Sequence, residues 1–245
     1  MATLPFAAKH LVADDLKQMM TGLADEAACM NLTIIGGHTS EGAETALGIM
    51  MNGLTDRNTI LKKENLKVGE AIVITKPIGT GIILAADMHF KSQGRWMDGI
   101  LNGMLQSNGP AANVFKKNGI TAVTDITGFG LGGHLVEMLD SSDVGAKIVS
   151  DDIPTYTGTR ACIEKGVQST LAPSNREHLV NRWNVEKPES LNDDIIYDPQ
   201  TSGGLIAGVP PDQLDLVLED LKKIGYDQAA CIGQVTDNKR ALVIS

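Results

Sequence analysis

Apolar positions recur at two spacings along the chain, and the alternation between them sets out the elements. In residues 13–30, Leu16, Met19, Met20, Leu23, Ala27 and Met30 return every three or four positions behind Asp14 and Asp15, which predicts an amphipathic helix capped by one of those aspartates. It leads into Leu32-Thr33-Ile34-Ile35, a predicted strand that stops at Gly36-Gly37-His38-Thr39-Ser40-Glu41-Gly42, and a second strand is expected over 45–54. Residues 55–69 are polar and poor in apolar anchors, so they read as a linker, with a new domain beginning near Asp56. Ala71-Ile72-Val73-Ile74-Thr75 is the next strand; the turn from Lys76 to Gly81 enters a helix over 82–88. A helix over 95–106 carries Trp96, Ile100, Met104 and Leu105 on its apolar side, and Pro110 opens another that reaches Lys117.

The second half continues the alternation. Strands are expected at 120–123, 146–149, 231–235 and 241–244 and near 204–207, and helices at 135–139, 157–165, 175–183 and 211–224. Residues 169–194 otherwise show little periodicity, and His178 reads as a surface residue. Alternating strands and helices make the class α/β to α+β with mixed sheets.

Composition narrows the function classes. A length of 245 residues gives room for two domains, and a net charge of −9 argues against a nucleic-acid groove but not against a nucleotide that arrives with Mg²⁺. No apolar run approaches a bilayer span, and residues 1–10 lack a basic region followed by an apolar core, so neither a membrane nor a secretory route is expected. Cys29, Cys162 and Cys231 are odd in number and far apart. They fit buried structural thiols in a reducing, cytoplasmic setting.

The stretch Thr124-Asp125-Ile126-Thr127-Gly128-Phe129-Gly130-Leu131-Gly132-Gly133-His134 concentrates the candidate chemistry. It places a carboxylate where a strand ends and a helix begins, with glycines that let the backbone approach a phosphate and a helix N-terminus to face it. Asp125 would hold the accompanying cation, or else serve only as the cap of a glycine-rich turn. Gly36, Gly37 and His38 form a second candidate, either a phosphate cradle or a two-glycine hairpin turn. Lys76 could reach a phosphate but reads first as a solvated strand-end charge. Asp198-Pro199 and Gly203-Gly204 are ordinary punctuation by themselves.

Taken in order, Gly36-Gly37-His38-Thr39, Thr75-Lys76-Pro77-Ile78-Gly79-Thr80-Gly81, Thr124 through Gly130, and Asp198-Pro199-Gln200-Thr201-Ser202-Gly203-Gly204-Leu205 resemble the signature runs of the selenophosphate synthetase (selenide, water dikinase) family. The resemblance implies an aminoimidazole ribonucleotide synthetase-like two-domain architecture. Residues 1–55 would be an incomplete N-terminal ATP-binding and dimerisation domain, and 56–245 a C-terminal α+β domain. It implies ATP, selenide and water as substrates, selenophosphate, AMP and phosphate as products, Mg²⁺ as cofactor and a homodimer. By resemblance Asp125 is a metal ligand, and Gly36, Gly37 and His38 contact ATP. The family's glycine-rich arm, with its catalytic Cys or selenocysteine, its Lys and further metal-binding aspartates, is not in these residues, and Cys29 does not replace it. The chain is therefore expected to be a C-terminal portion with no catalytic residue of its own, inactive alone. Ala85-Ala86-Asp87-Met88, Gly94-Arg95-Trp96 and Gln106-Ser107-Asn108 resemble members fused behind an NADH dehydrogenase-like oxidoreductase. Two alternatives stand beside this reading: a non-catalytic dimerisation or regulatory module, and a related hydrogenase-maturation protein or thiamine-phosphate kinase, against which the Lys76-Pro77 and Asp198 to Gly204 runs argue.

Overall fold

A computed structural model describes residues 1–7, 9–187 and 194–245. The chain divides into two compact units, Met1–Thr55 and Asp56–Ser245.

The first unit holds β1 (Ala2–Pro5), α1 (Lys9–Cys29), β2 (Thr39–Gly42) and β3 (Ala46–Leu47). β1 is the middle strand, parallel to β2 and antiparallel to β3. This differs from the sequence reading, which gives no strand at residues 2–5. The strand expected at 32–35 is irregular, whereas residues 39–42, read as a loop, form β2. The reason is pairing: β1 takes Thr39 to Gly42 as its ladder partner and the Ala2 amide donates to the His38 carbonyl at 3.0 Å, so Ile34 and Ile35 have no ladder to join despite their β-branched side chains. The strand expected over 45–54 shrinks to Ala46–Leu47. The helix begins at Lys9, which puts Asp14 and Asp15 within it rather than at its cap. Among the described residues, the first unit's buried apolar set is Ala2, Leu4 and Ala27, while Phe6, Ile35, Met50, Met51 and Leu54 stand exposed.

The second unit is built on a seven-stranded mixed sheet. In chain order it contains β4 (Ala71–Ile74), α2 (Thr80–Met88), α3 (Gly94–Leu105), α4 (Gly109–Lys117), β5 (Val123–Asp125), α5 (Gly130–Ser142), β6 (Gly145–Ile148), α6 (Thr159–Glu164), α7 (Ala172–Val180), β7 (Asn184–Glu186), β8 (Leu205–Val209), α8 (Leu214–Lys223), β9 (Ala230–Thr236) and β10 (Ala241–Ile244). The strand order is β5-β8-β4-β9-β6-β10-β7; successive pairs from β5 to β6 are antiparallel, and β6, β10 and β7 are parallel to one another. Every residue of β4 and β8 is buried, because helices cover both faces of the sheet. Ile72, Ile74 and Ile206 point into one core with Ile83 of α2, Ile100 of α3 and Leu135 of α5. Val73, Ala207 and Val209 point into the other with Phe115 of α4 and Leu221 of α8.

Departures from the sequence reading here are local. α5 begins at Gly130, so the glycines read as loop lie partly in its first turn; Leu105 is 81% exposed although it was placed on the apolar side of its helix; and β7 was not foreseen. Cys162 is buried and Cys231 half-buried, but Cys29 is exposed, against the expectation for it. The weakly periodic stretch ending at residue 194 falls partly on 188–193, outside the described residues.

Candidate functional site

The strand order puts three glycine-containing runs at one edge of the sheet. β8 lies between β4 and β5 and is antiparallel to both, so the segment entering β8 meets the segments leaving β4 and β5. Leu205 donates its amide to Thr75 Oγ1 at 2.8 Å and accepts from the Thr75 amide at 3.0 Å. On the other side, the Ile126 amide donates to the Gly204 carbonyl at 2.9 Å and the Gln200 amide to the Thr127 carbonyl at 3.0 Å.

The turn into α2 is closed by the protein itself. The first amides of a helix have no partner within it, and here side chains from far along the chain supply them. Gln200 Oε1 accepts from the Gly79 amide (2.9 Å), the Thr80 amide (3.2 Å) and Thr80 Oγ1 (3.1 Å), and Asp198 Oδ2 accepts from the Ile82 amide at 3.2 Å. The Gln200 Nε2 group donates to the Asp198 carbonyl and carboxylate at 2.8 and 2.9 Å, which locks the amide in one orientation. The carboxylate at the positive end of α2 has its charge placed favourably, yet the site is buried. Asp198 is fully buried, and loss of hydration pushes its pKa up to about 6 against the pull of the Ile82 and Gln200 hydrogen bonds. A Cβ at Gly81 would overlap the Pro199 carbonyl and the Asp198 carboxylate, so only glycine lets the two segments touch. Asp198 and Gln200 thus have a defined role that their dipeptide context did not signal; what would have signalled it is the absence of a capping side chain at the start of α2.

Lys76 corrects the sequence reading outright. It is 1% exposed, and its ammonium donates to three backbone carbonyls: Gln106 at 2.6 Å, Gly103 at 3.1 Å and Ser202 at 3.2 Å. Burial pushes its pKa down to about 8. A cation with its three donors already used does not reach out to a phosphate.

The turn into α5 is the open part of the cluster. Asp125 ends β5 with an exposed carboxylate, and Gly128 and Phe129 beyond it are exposed as well. The four glycines divide into two kinds. Gly130 has φ +71°, and a Cβ there would overlap the Ile196 and Asp198 carbonyls; Gly132 and Gly133 also back onto neighbouring atoms, so these serve close packing. Gly128 alone faces open space. Behind it His134 is buried, its Nε2 3.1 Å from Thr127 Oγ1 and its Nδ1 3.5 Å from Glu137 Oε2. Desolvation lowers the His134 pKa, with Glu137 and then Asp125 opposing. A groove of about 340 Å³ between α5 and α7, lined by Phe129, Lys63, Glu137, Asp140, His178 and Arg182, opens beside this turn. Its charges pair with one another, Lys63 with Glu137 at 2.6 Å and Arg182 with Asp140 at 3.9 Å. His178 lies on the surface, stacked on Phe129.

Gly36, Gly37 and His38 belong to the first unit, where all three are exposed and the glycines have no neighbour a Cβ would meet. Among the described residues no group of three or more His, Cys, Asp or Glu side chains is gathered to hold a metal, so Asp125 stands as a single carboxylate.

Comparison with known proteins gives this geometry its context. The family described as AIR synthase related protein, C-terminal domain, matches residues 67–244. A selenide, water dikinase of Pelobacter propionicus is 32% identical over 238 residues, which is 97% of this chain and 68% of that protein. One from Clostridioides difficile is 33% identical over 225 residues, covering 91% of this chain and 64% of that protein. The chain thus spans about two thirds of the curated relatives it matches. Among solved structures, the Escherichia coli hydrogenase maturation protein HypE superposes with a TM-score of 0.70 at 17% identity, over 98% of this chain and 67% of HypE. A HypE structure in complex with ATP superposes at 0.62 with 15% identity, over all of this chain and 68% of that one. These likenesses establish a shared fold, and the sequence identities establish kinship: the chain belongs to the AIR synthase-related proteins and, within them, to the selenide, water dikinase family.

Proposed function

We propose that the protein carrying this chain transfers phosphate from ATP to selenide, converting ATP, selenide and water into selenophosphate, AMP and phosphate. The observation that carries this is kinship with dikinases along nearly the whole chain, joined to an exposed carboxylate at the one open turn of a loop cluster that is otherwise closed. Phosphoryl transfer asks for positioning and charge neutralisation more than for a nucleophile from this region. Asp125 is the group offered for that task.

Mg²⁺ fits the residues present. It keeps several waters and takes one or two carboxylates together with substrate phosphates, so a lone exposed Asp125 beside the open face of Gly128 is a sufficient protein contribution from this turn. The bound ion would neutralise phosphate charge. Asp125 would hold it, and the closed network around Asp198 and Gln200 would keep the turn in place; Gly36, Gly37 and His38 are the first unit's own candidates for contact with ATP. The HypE complex supports ATP as the nucleotide.

A homodimer formed through the first unit belongs to the same reading. Its support is the exposure of Phe6, Ile35, Met50, Met51 and Leu54, an apolar set that needs cover. Residence in the cytoplasm is supported by the three free cysteines and by selenide itself, both of which call for a reducing compartment. The decisive experiment measures AMP and selenophosphate release by the intact protein with ATP, Mg²⁺ and selenide. ATP hydrolysis that selenide leaves unchanged would overturn the assignment.

A further inference from the structure

We propose that Lys76 and Asn108 form a clamp that positions Asp125 by fixing the Ser202 to Gly204 backbone. The proposal rests on the reading of Asp125 as a metal ligand and adds how its placement is set.

Ser202 is held at φ +48°, in the left-handed region that costs a residue with a Cβ. Two side chains from a distant part of the chain grip this segment. The Lys76 ammonium takes the Ser202 carbonyl at 3.2 Å, and Asn108 Nδ2 donates to the Gly203 carbonyl at 2.8 Å. The remaining two donors of Lys76 go to the Gly103 and Gln106 carbonyls, at the C-terminal end of α3, where carbonyls lack helical partners and the helix dipole is negative. No carboxylate lies within ion-pair distance of Lys76 among the described residues, so this cation is satisfied by carbonyls alone.

The gripped segment touches the strand that carries Asp125. A Cβ at Gly203 would collide with the Ile126 carbonyl, the Gly204 carbonyl accepts from the Ile126 amide at 2.9 Å, and Leu205 is the ladder partner of Asp125. Displacing Ser202 and Gly203 therefore moves Ile126, which follows Asp125, and reaches Asp125 itself through Leu205. Asn108 Oδ1 is buried without a hydrogen-bond partner, so Asn108 is retained at a cost, in keeping with a demand for its amide donor.

The test uses the intact protein, with Mn²⁺ alone as probe by electron paramagnetic resonance, and hydrogen exchange of the peptides covering 124–128 and 200–205. Lys76→Met should weaken Mn²⁺ binding roughly ten- to hundredfold, as loss of an outer-shell support does. Exchange in those two peptides should speed up at least about tenfold while α8 keeps its wild-type protection. Asn108→Ala, which removes one hydrogen bond at a partly buried position, should do the same to a smaller degree, and it decides the matter if Lys76→Met does not fold. Wild-type Mn²⁺ affinity in both variants, or exchange that rises uniformly across the second unit, overturns the clamp. Asp125→Asn is the control for the underlying reading: if it leaves Mn²⁺ affinity unchanged, Asp125 is not the ligand, and the exchange measurement alone then decides whether the clamp exists.

Discussion

The turns into α2 and α5 leave the same edge of one sheet, and both pass through glycines into a helix. At α2 the helix amides are taken by Gln200 and Asp198, which are almost wholly buried, and the adjacent lysine is buried on carbonyls. At α5 the strand ends in an exposed carboxylate followed by exposed Gly128 and Phe129. A helix N-terminus preceded by glycines is an anion site only while its donors are free, which excludes the turn into α2. The comparison predicts that changes at α5 alter chemistry with little effect on folding, and that changes around α2 lower stability and reach the chemistry only through the placement of the α5 turn.

The largest effect should come from Asp125→Asn. Turnover of the intact protein should fall by about 10³-fold or more, because a preorganised charge at a phosphoryl-transfer site is lost. Its stability should stay within about 0.5 kcal/mol of wild type, since the side chain is exposed. Unchanged selenophosphate release would break the comparison at its open end.

Gln200→Ala should act oppositely. It strands two buried amides and a hydroxyl at the start of α2, and a loss of roughly 2–4 kcal/mol in urea unfolding is expected. A shift below about 1 kcal/mol would mean that water replaces the side chain and that the turn is not closed.

Asp198 gives the comparison a pH signature. Its pKa is raised in the folded protein, to about 6 from 3.8, so the folded state holds the proton more tightly than the unfolded chain. Its contribution is fully present below about pH 4 and is lost as pH rises to 6, by at most about 3 kcal/mol. Comparing unfolding of wild type and Asp198→Asn across that window checks the sign: the difference between them should shift in favour of the variant as pH rises.

The smallest and most diagnostic contrast pairs two glycines. Gly81→Ala should destabilise by about 1–3 kcal/mol through overpacking against Pro199 and Asp198. Gly128→Ala, with open space at its Cβ, should stay within about 0.5 kcal/mol. Equal thermal shifts in the two variants would remove the distinction between packing glycines and the open one.

By itself the sequence determined the elements whose signal is local. The apolar run of β4, the Pro110 helix and the amphipathic α8 follow from spacing and propensity, and each occurs close to where the pattern puts it. The ordered signature runs were likewise enough to identify the family. What only the tertiary structure decided depends on partners distant in the chain. Residues 32–35 have strand propensity but no ladder, because β1 pairs with residues 39–42 instead. Lys76 reads as a solvated charge until β8 and the end of α3 bring three carbonyls around it. Asp198 and Gln200 read as turn punctuation until they meet the uncapped amides of α2, more than a hundred residues earlier in the chain. Propensity is a property of a few neighbouring residues, whereas burial and hydrogen-bond satisfaction belong to the assembled sheet.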